Sequence, residues 1–433
     1  MPCHAFSYDG VLLLAQEERI ISQEQLERLS YPDVLFTDDP PDAYMLEVLK
    51  RKKAASTVKH WLESLDKKDE PSAKATQPEL SPPSAPPAAA QIPFQEELKS
   101  AATLHQAAIH QITDFFQQIQ SGDKVDLFVA KDTVGQILDS LERNERVFAN
   151  LSRLKSFDNY TFNHSLNTCV LSLLLARHCG LVEDIASLGL GALMHDIGKT
   201  RIPVELLHKE SRLTEEEWHF MAQHPTLGLE VVEKSSGGAH CDREAVIQHH
   251  ERLNGSGYPL QLPEDKILLA GRIASIADVY DAMTSRRPYR EAISPPETIR
   301  WIKDQAGILF DPRLVQAFMA AVGIFPIGSL ALLTTGEYGI VLSVNRQELL
   351  RPLVLVVTEH GRIGDRRPYL FNLANETRAN IAGLAEPEVL GLESGEIDHY
   401  LAQVSEEQIL AKGANAAPSP APVPYHGKLD LRA

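Results

Sequence analysis

The sequence predicts a mainly α protein: a helical bundle carrying a small C-terminal antiparallel β module and a short N-terminal module. Three observations predict it. Between residues 94 and 322 apolar residues recur at three- and four-residue spacing, the period of one helix face. Beyond residue 322 the pattern changes to β-branched runs separated by Gly or Asn turns. A proline-rich stretch cuts the helical part off from the first 65 residues.

Residues 1–65 mix short apolar runs (VLLL, DVLF) with a helical EQLERL and a second helix around Tyr44 to Leu62. Residues 66–93 form a linker, because seven prolines stand among Ser, Ala and Gln from position 71 onward and such a composition cannot bury a core. Residues 94–322 form the helical domain. Its first apolar face is Leu104, Ala108, Ile112, Phe115 and Ile119. The second is Val134, Ile137, Leu141, Phe148, Leu151 and Leu154, with Asp132 as the expected N-cap. Further helices are expected over 163–179, 183–197, 214–234, 243–252, 268–285 and 295–321. The runs SLALLTT, YGIVLSVN, LVLVVTEH and YLFNL then give a β module over 323–376, with turns at Gly336, Asn345 and Gly361. A helical extension is expected over 377–412, and a disordered Ala- and Pro-rich tail over 413–433.

Composition removes several function classes. Net charge is −17, of which only −4 lies in residues 150–322. Such a chain is not built to wrap a nucleic-acid polymer through its phosphates, although a few cations and a metal can reverse the field locally for a small anion. No apolar stretch approaches the ~18 residues of a membrane span. The N-terminus MPCHAFSYDG lacks a basic region followed by an apolar core, so no secretory signal is expected. The four cysteines have no CxxC or framework spacing, which fits reduced thiols and a cytoplasmic location.

The informative residues are histidines. Nine of sixteen fall between His164 and His250. Five stand in a recognisable order with two aspartates: His164, then His195-Asp196 in HDIGK, then His224, then His249-His250 in HHERLNGSGYP, then Asp278 in IADVYDAM. Imidazole with carboxylate is the ligand set of iron, manganese and zinc. Ligands this many and this spread indicate a catalytic centre, since structural zinc uses close-spaced Cys pairs. Neighbours on a helix point about 100° apart, yet both His195 and Asp196 can reach one metal near the helix end, where Gly198 removes side-chain bulk. An aspartate has two oxygens and so can bridge two metals. His178, His208, His219 and His240 are read as bystanders.

HDIGK, HPTLG, HHERLNGSGYP and ADVYDAMTSRRPYR, in this order, resemble the HD-GYP family, bacterial phosphodiesterases of the HD superfamily that act on cyclic di-GMP. The resemblance covers residues 150–322 and implies an HD-type helical bundle. The helices upstream and the sheet downstream also resemble common accompaniments of the family, as the first 65 residues do faintly. It implies that His164, His195, Asp196, His224, His249, His250 and Asp278 are metal ligands. Asp196 would bridge, with His164, His195 and Asp278 on one metal and His224, His249 and His250 on the other. Some family members hold a third metal with a glutamate where this chain has Tyr160, so two divalent ions are expected, iron or manganese first and zinc as an alternative. The position before Gly255 is usually Asp in the family and is Asn254 here, which removes a charge and keeps hydrogen-bonding capacity; an Asn-Gly turn is the other reading of that residue.

The expected chemistry follows from the phosphodiester, which repels anionic nucleophiles. A metal lowers the pKa of bound water and neutralises phosphoryl charge, so a hydroxide between the metals would attack phosphorus in line with the leaving ribose 3′-oxygen. Asp196 and Lys199 are the expected catalytic pair, with Lys199 facing a non-bridging phosphate oxygen. Arg287 and Arg290 would bind the second phosphate, or stand as solvated surface cations. Tyr258, in a loop whose two glycines permit positive φ, would pack on guanine or ribose. The family resemblance also implies docking of GGDEF-domain cyclases on this loop. The product would be pGpG, GMP or both. Two alternatives stay open: a catalytically weak cyclic di-GMP receptor or scaffold, and a phosphohydrolase for another cyclic dinucleotide.

Overall fold

A computed structural model describes residues 4–6, 12–14, 35–37, 92 and 94–404, apart from 122–125, 152–159, 182–183, 208, 210, 286–291, 346–347, 359–362, 364–367, 377–378, 393 and 403. The helices expected at EQLERL and Tyr44 to Leu62, nearly all of the linker and the tail 413–433 lie outside these residues. Near the N-terminus three short strands, β1 (His4–Phe6), β2 (Leu12–Leu14) and β3 (Leu35–Thr37), pair antiparallel in the order β2-β1-β3.

Two long helical segments, α1 (Phe94–Gln120) and α2 (Leu127–Leu151, kinked at Asn144 where φ is −159° and ψ 93°), pack along the first apolar face and along Val134, Ile137 and Leu141 of the second. Leu154 and the side chains of Phe148 and Leu151 lie outside the described residues. Buried Glu97 on α1 ties them: it accepts from Ser140 and, at 2.7 and 2.9 Å, from Nε and Nη2 of Arg143. The expected cap at Asp132 is wrong. The helix starts at Leu127, whose N–H donates to Ser236 O at 2.8 Å, and Asp126 Oδ1 accepts from the Phe128 N–H at 3.0 Å. Asp132 lies inside the helix and accepts from Gln136.

The bundle continues with α3 (Tyr160–His178), α4 (Ile185–Met194), a 3-10 turn over Ile197–Arg201, α5 (Val204–Leu207), α6 (Glu215–Met221), α7 (His224–Lys234), α8 (Arg243–Gln248), α9 (Leu269–Thr284), α10 (Pro295–Asp304) and α11 (Pro312–Val322). Helix α3 touches α1, α2, α4, α9 and α11. It is buried almost all round from Asn163 to Ala176, as a central helix must be. Two expected single helices are each broken in two. The first breaks before His224, where Pro225 suits a helix start and not a continuation. The second breaks at Gly307, with φ of 78°, and restarts where Asp311 caps the Arg313 N–H at 2.9 Å ahead of α11.

The C-terminal sheet has five strands: β4 (Leu330–Leu333), β5 (Tyr338–Ser343), β6 (Leu353–Val356), β7 (Tyr369–Asn372) and β8 (Ile381–Ala385), antiparallel in the order β7-β6-β5-β4-β8. Strand β8 lies where a helical extension was expected. Its sequence IAGLA has no strong strand preference, and pairing with the open edge of β4 decides its state. Among the described residues of that stretch the helical segments are a 3-10 turn over Pro387–Leu390 and α12 (Ser394–Ala402). Alternation sorts the sheet's side chains between two faces. Leu330, Ile340, Leu342, Leu353 and Leu355 join the core of the bundle and α12, whereas Ala331, Leu333, Val341, Val354 and Val356 form a separate core with Phe325, Leu373 and Ala379.

Candidate metal centre

Five elements bring the seven expected ligands together. His164 comes from α3, His195 and Asp196 from the end of α4, His224 from the α6–α7 junction, His249 and His250 from the end of α8, and Asp278 from α9. All are buried except His250, which is half-buried.

Helix ends aim three of the rings. The Nδ1 atoms of His195, His224 and His249 face the carbonyls of Ala192, Met221 and Val246, three residues earlier in each case, at 2.7, 2.9 and 2.8 Å. Nδ1–H is thereby occupied, and Nε2 is turned inward with its lone pair. His164 is held differently, by Asp281, whose Oδ2 lies 2.8 Å from Nδ1 and whose Oδ1 accepts from Asn167 Nδ2 at 2.9 Å.

The inward atoms form two overlapping groups. One is Asp196, His224, His249 and His250; the other is His164, His195 and Asp196; within each, the ligand atoms lie within 4.8 Å of one another. Asp196 is common to both. Its Oδ1 is 3.3 Å from His224 Nε2, and its Oδ2 is 3.4 Å from His195 Nε2 and 3.8 Å from His164 Nε2. Asp278 Oδ1 is 3.1 Å from His164 Nε2, and its Oδ2 is 3.6 Å from His250 Nδ1.

A divalent cation fits these residues. His195 Nε2 and Asp196 Oδ1 are buried without a hydrogen-bond partner, an arrangement that costs free energy unless something else satisfies the atoms. Burial pushes the Asp196 carboxyl up, but Lys199, His195 and His224 outweigh it and hold it well below the usual carboxylate range. Asp278 is likewise held low against burial by His164, His250 and His195. Burial and neighbouring imidazoles push His249 and His250 well down, and burial lowers His224, so these rings are neutral, as ligands must be. Burial disfavours a charged His164, but Asp278 and Asp281 on either side raise it to about 9. A cation at Nε2 would take the place of that proton.

Close packing shapes the surroundings. A Cβ on Gly198 would lie 1.9 Å from His224 O and 2.4 Å from Gly228 N, so the HDIG turn fits against α7 only as glycine. The loop after the His-His pair is held by Glu251. This buried carboxylate accepts from the backbone N–H groups of Leu260 at 2.8 Å and Leu262 at 3.1 Å. Of the loop's two glycines, only Gly255 takes positive φ, 74°. Gly257 is required for space, since a Cβ there would meet Arg252 N at 2.5 Å and His250 O at 2.6 Å. Asn254 Oδ1 accepts from the Ser256 N–H and hydroxyl at 3.1 and 2.7 Å, so amide oxygen serves this turn without a carboxylate.

The other expected site residues fall as follows. Lys199 Nζ lies 2.6 Å from Asp196 Oδ2, at the cluster's edge. Tyr258 stacks on His250, with ring centroids 4.5 Å apart and 29° between planes. Arg287 and Arg290 lie outside the described residues, as does the side chain of Tyr160. Asp281, Asn167 and Glu251 were not anticipated from the sequence. Asp281 had a signal, because it stands three residues after Asp278 on one helix and hence on the same face.

The HD domain family matches residues 167–314. A cyclic di-GMP phosphodiesterase of Pseudomonas aeruginosa is 34% identical over 314 residues, which make up 71% of this chain and 75% of that protein. A cyclic di-GMP phosphodiesterase of Thermotoga maritima is 35% identical over 202 residues, 45% of this chain and 54% of that protein. The 3′3′-cGAMP-specific phosphodiesterase 1 of Vibrio cholerae is 39% identical over 161 residues, 37% of this chain and 36% of that protein.

Proposed function

This chain belongs to the HD-GYP family of cyclic di-GMP phosphodiesterases, and from that premise we propose that it hydrolyses cyclic di-GMP to pGpG or GMP with two divalent ions held by the His/Asp cluster. The observation that carries the two-ion reading is the pair of ligand groups sharing Asp196. His164, His195 and Asp278 would hold one ion and His224, His249 and His250 the other, with Asp196 within reach of both groups. Nitrogen and carboxylate donors suit iron or manganese, with zinc the alternative. When bound, the ions neutralise phosphoryl charge and supply a water of lowered pKa.

The protein's own groups do the rest. The backbone carbonyls behind His195, His224 and His249 and the carboxylate behind His164 fix the ligand set before substrate arrives, so no reorganisation is needed during reaction. Lys199 supplies a positive charge beside Asp196 and meets a non-bridging phosphoryl oxygen. Tyr258, held over His250 by the Glu251-anchored loop, borders the space for a ribose or base. Arg287 and Arg290 bind the second phosphate. GGDEF-domain cyclases dock on the same loop, where Asn254 and Ser256 are exposed.

Hydrolysis of cyclic di-GMP by protein purified without oxygen, with metal content measured on the same sample, tests this reading. About two ions per chain and turnover are expected; His195→Ala with Asp196→Ala abolishes both. A double variant keeping wild-type turnover refutes the assignment. The likeness to a 3′3′-cGAMP-specific enzyme favours one second reading, a hybrid cyclic dinucleotide as substrate, which parallel assays with both dinucleotides decide. No helix among the described residues is long and apolar enough to cross a membrane.

A further inference from the structure

The candidate centre has an aromatic wall on one side, and its outermost member is Trp218. His250 stacks on Tyr258, and Tyr258 meets the Trp218 indole edge-to-face at 5.4 Å with 77° between planes. Tyr258 is also 6.2 Å from the His224 ring, so the wall starts at two candidate ligands. Trp218 is 46% exposed. A lone exposed apolar side chain needs no explanation, but this one continues an aromatic run that leads directly into the cluster.

The indole is also held in place. Helix α6 opens with a capping box, in which Thr214 Oγ1 accepts from the Glu217 N–H at 3.3 Å and Glu217 accepts from the Thr214 N–H at 2.7 Å. Lys209 pins the same carboxylate at 2.6 Å. On the other side of the helix Phe220 is buried against Ile202 and Leu227. Trp218 is therefore presented to solvent beside the site by a helix fixed at its start and its inner face. A rigid aromatic surface at a site mouth suits a flat aromatic partner, because stacking needs area and gains from pre-organisation.

We propose that Trp218 is a substrate-binding residue on which a purine base of the cyclic dinucleotide stacks, a role that rests on the phosphodiesterase reading above. The substrate's phosphorus is joined to each base through one ribose, so a base leaves the cluster along the path that Tyr258 and Trp218 line. Stacking accepts any base, since every base has a π face. Trp218 thus sets affinity for base-bearing diesters over simple ones.

The test uses the full metal-loaded chain with Trp218→Ala and Trp218→Phe. Trp218→Ala raises KM for cyclic di-GMP about 5- to 160-fold, the equivalent of losing one stacked base, with a much smaller change in kcat. Trp218→Phe, which keeps a ring, recovers most of the loss. The preference for cyclic di-GMP over methyl p-nitrophenyl phosphate, a diester without a purine, falls in parallel. Rapid mixing of cyclic di-GMP with wild type quenches tryptophan emission before turnover, and Trp218→Phe lacks this quench. A wild type active on cyclic di-GMP, with KM and quench unmoved by either substitution, overturns the inference alone. A wild type that hydrolyses neither diester overturns the phosphodiesterase reading and this inference with it.

Discussion

Asp281 Oδ2 lies 2.8 Å from His164 Nδ1, so a carboxylate behind the cluster decides which nitrogen of that ring faces it. Removing it takes away the partner of His164 Nδ1 and the acceptor of Asn167 Nδ2. Partners of this kind are typically worth about 10- to 100-fold in metal affinity. Asp281→Ala is expected to weaken metal binding by that factor while leaving every ligand in place. Titration against a competing chelator measures it, and wild-type affinity in the variant contradicts the assignment.

Gly198 is expected to tolerate no side chain. Its missing Cβ leaves room for the His224 carbonyl, and no flexible group is there to yield. Gly198→Ala must push the turn from α7, at a cost on the order of 3 kcal/mol. It also shifts Asp196 relative to His224. Denaturant melts and metal content of the variant check both effects; a stable, fully loaded Gly198→Ala protein counts against the packing argument.

Glu251 anchors the loop that carries Tyr258. Truncation to Ala leaves the N–H groups of Leu260 and Leu262 without their acceptor, each worth about 1–3 kcal/mol when buried. Glu251→Ala is expected to lower the melting temperature and to open residues 253–262 to proteolysis. Cleavage sites mapped by mass spectrometry give the answer.

His105 makes stability depend on pH. Burial lowers its pKa to about 4, and its Nε2 has no partner. A depressed histidine is neutral when folded and protonated when unfolded between its two pKa values, so the unfolded state binds the extra proton there. This contribution therefore weakens stability as pH falls from about 6.5 toward about 4 and is constant above that window. His105→Leu is expected to lose less stability than wild type between about pH 7 and about pH 5. Equal losses in the two proteins, by urea denaturation, contradict it.

The candidate cluster was legible because motif residues carry their chemistry in their identity: five histidines and two aspartates stand in a fixed order, and the fold brings them together. What orients them was less legible. The acceptors for His195, His224 and His249 are backbone atoms, which no residue name reveals. Asp281 and Glu251 look like ordinary charged residues until burial shows that they have no water to face. Strand β8 was hidden for another reason, since its state comes from the edge of β4 and not from its own residues. Asp132 resembles a cap because it precedes the apolar run from Val134, but Leu127 and Ala130 already belong to the buried face.

The three carbonyls that aim His195, His224 and His249 have a genetic consequence. Every amino acid has a carbonyl, so replacing Ala192, Met221 or Val246 changes packing but cannot delete the acceptor. The orientation of these rings is shielded from point mutation at the residues that supply it. His164 has no such shelter, because its acceptor is a side chain. Of the acceptors behind these four candidate ligands, the Asp281 carboxylate is the one that a single codon change can delete.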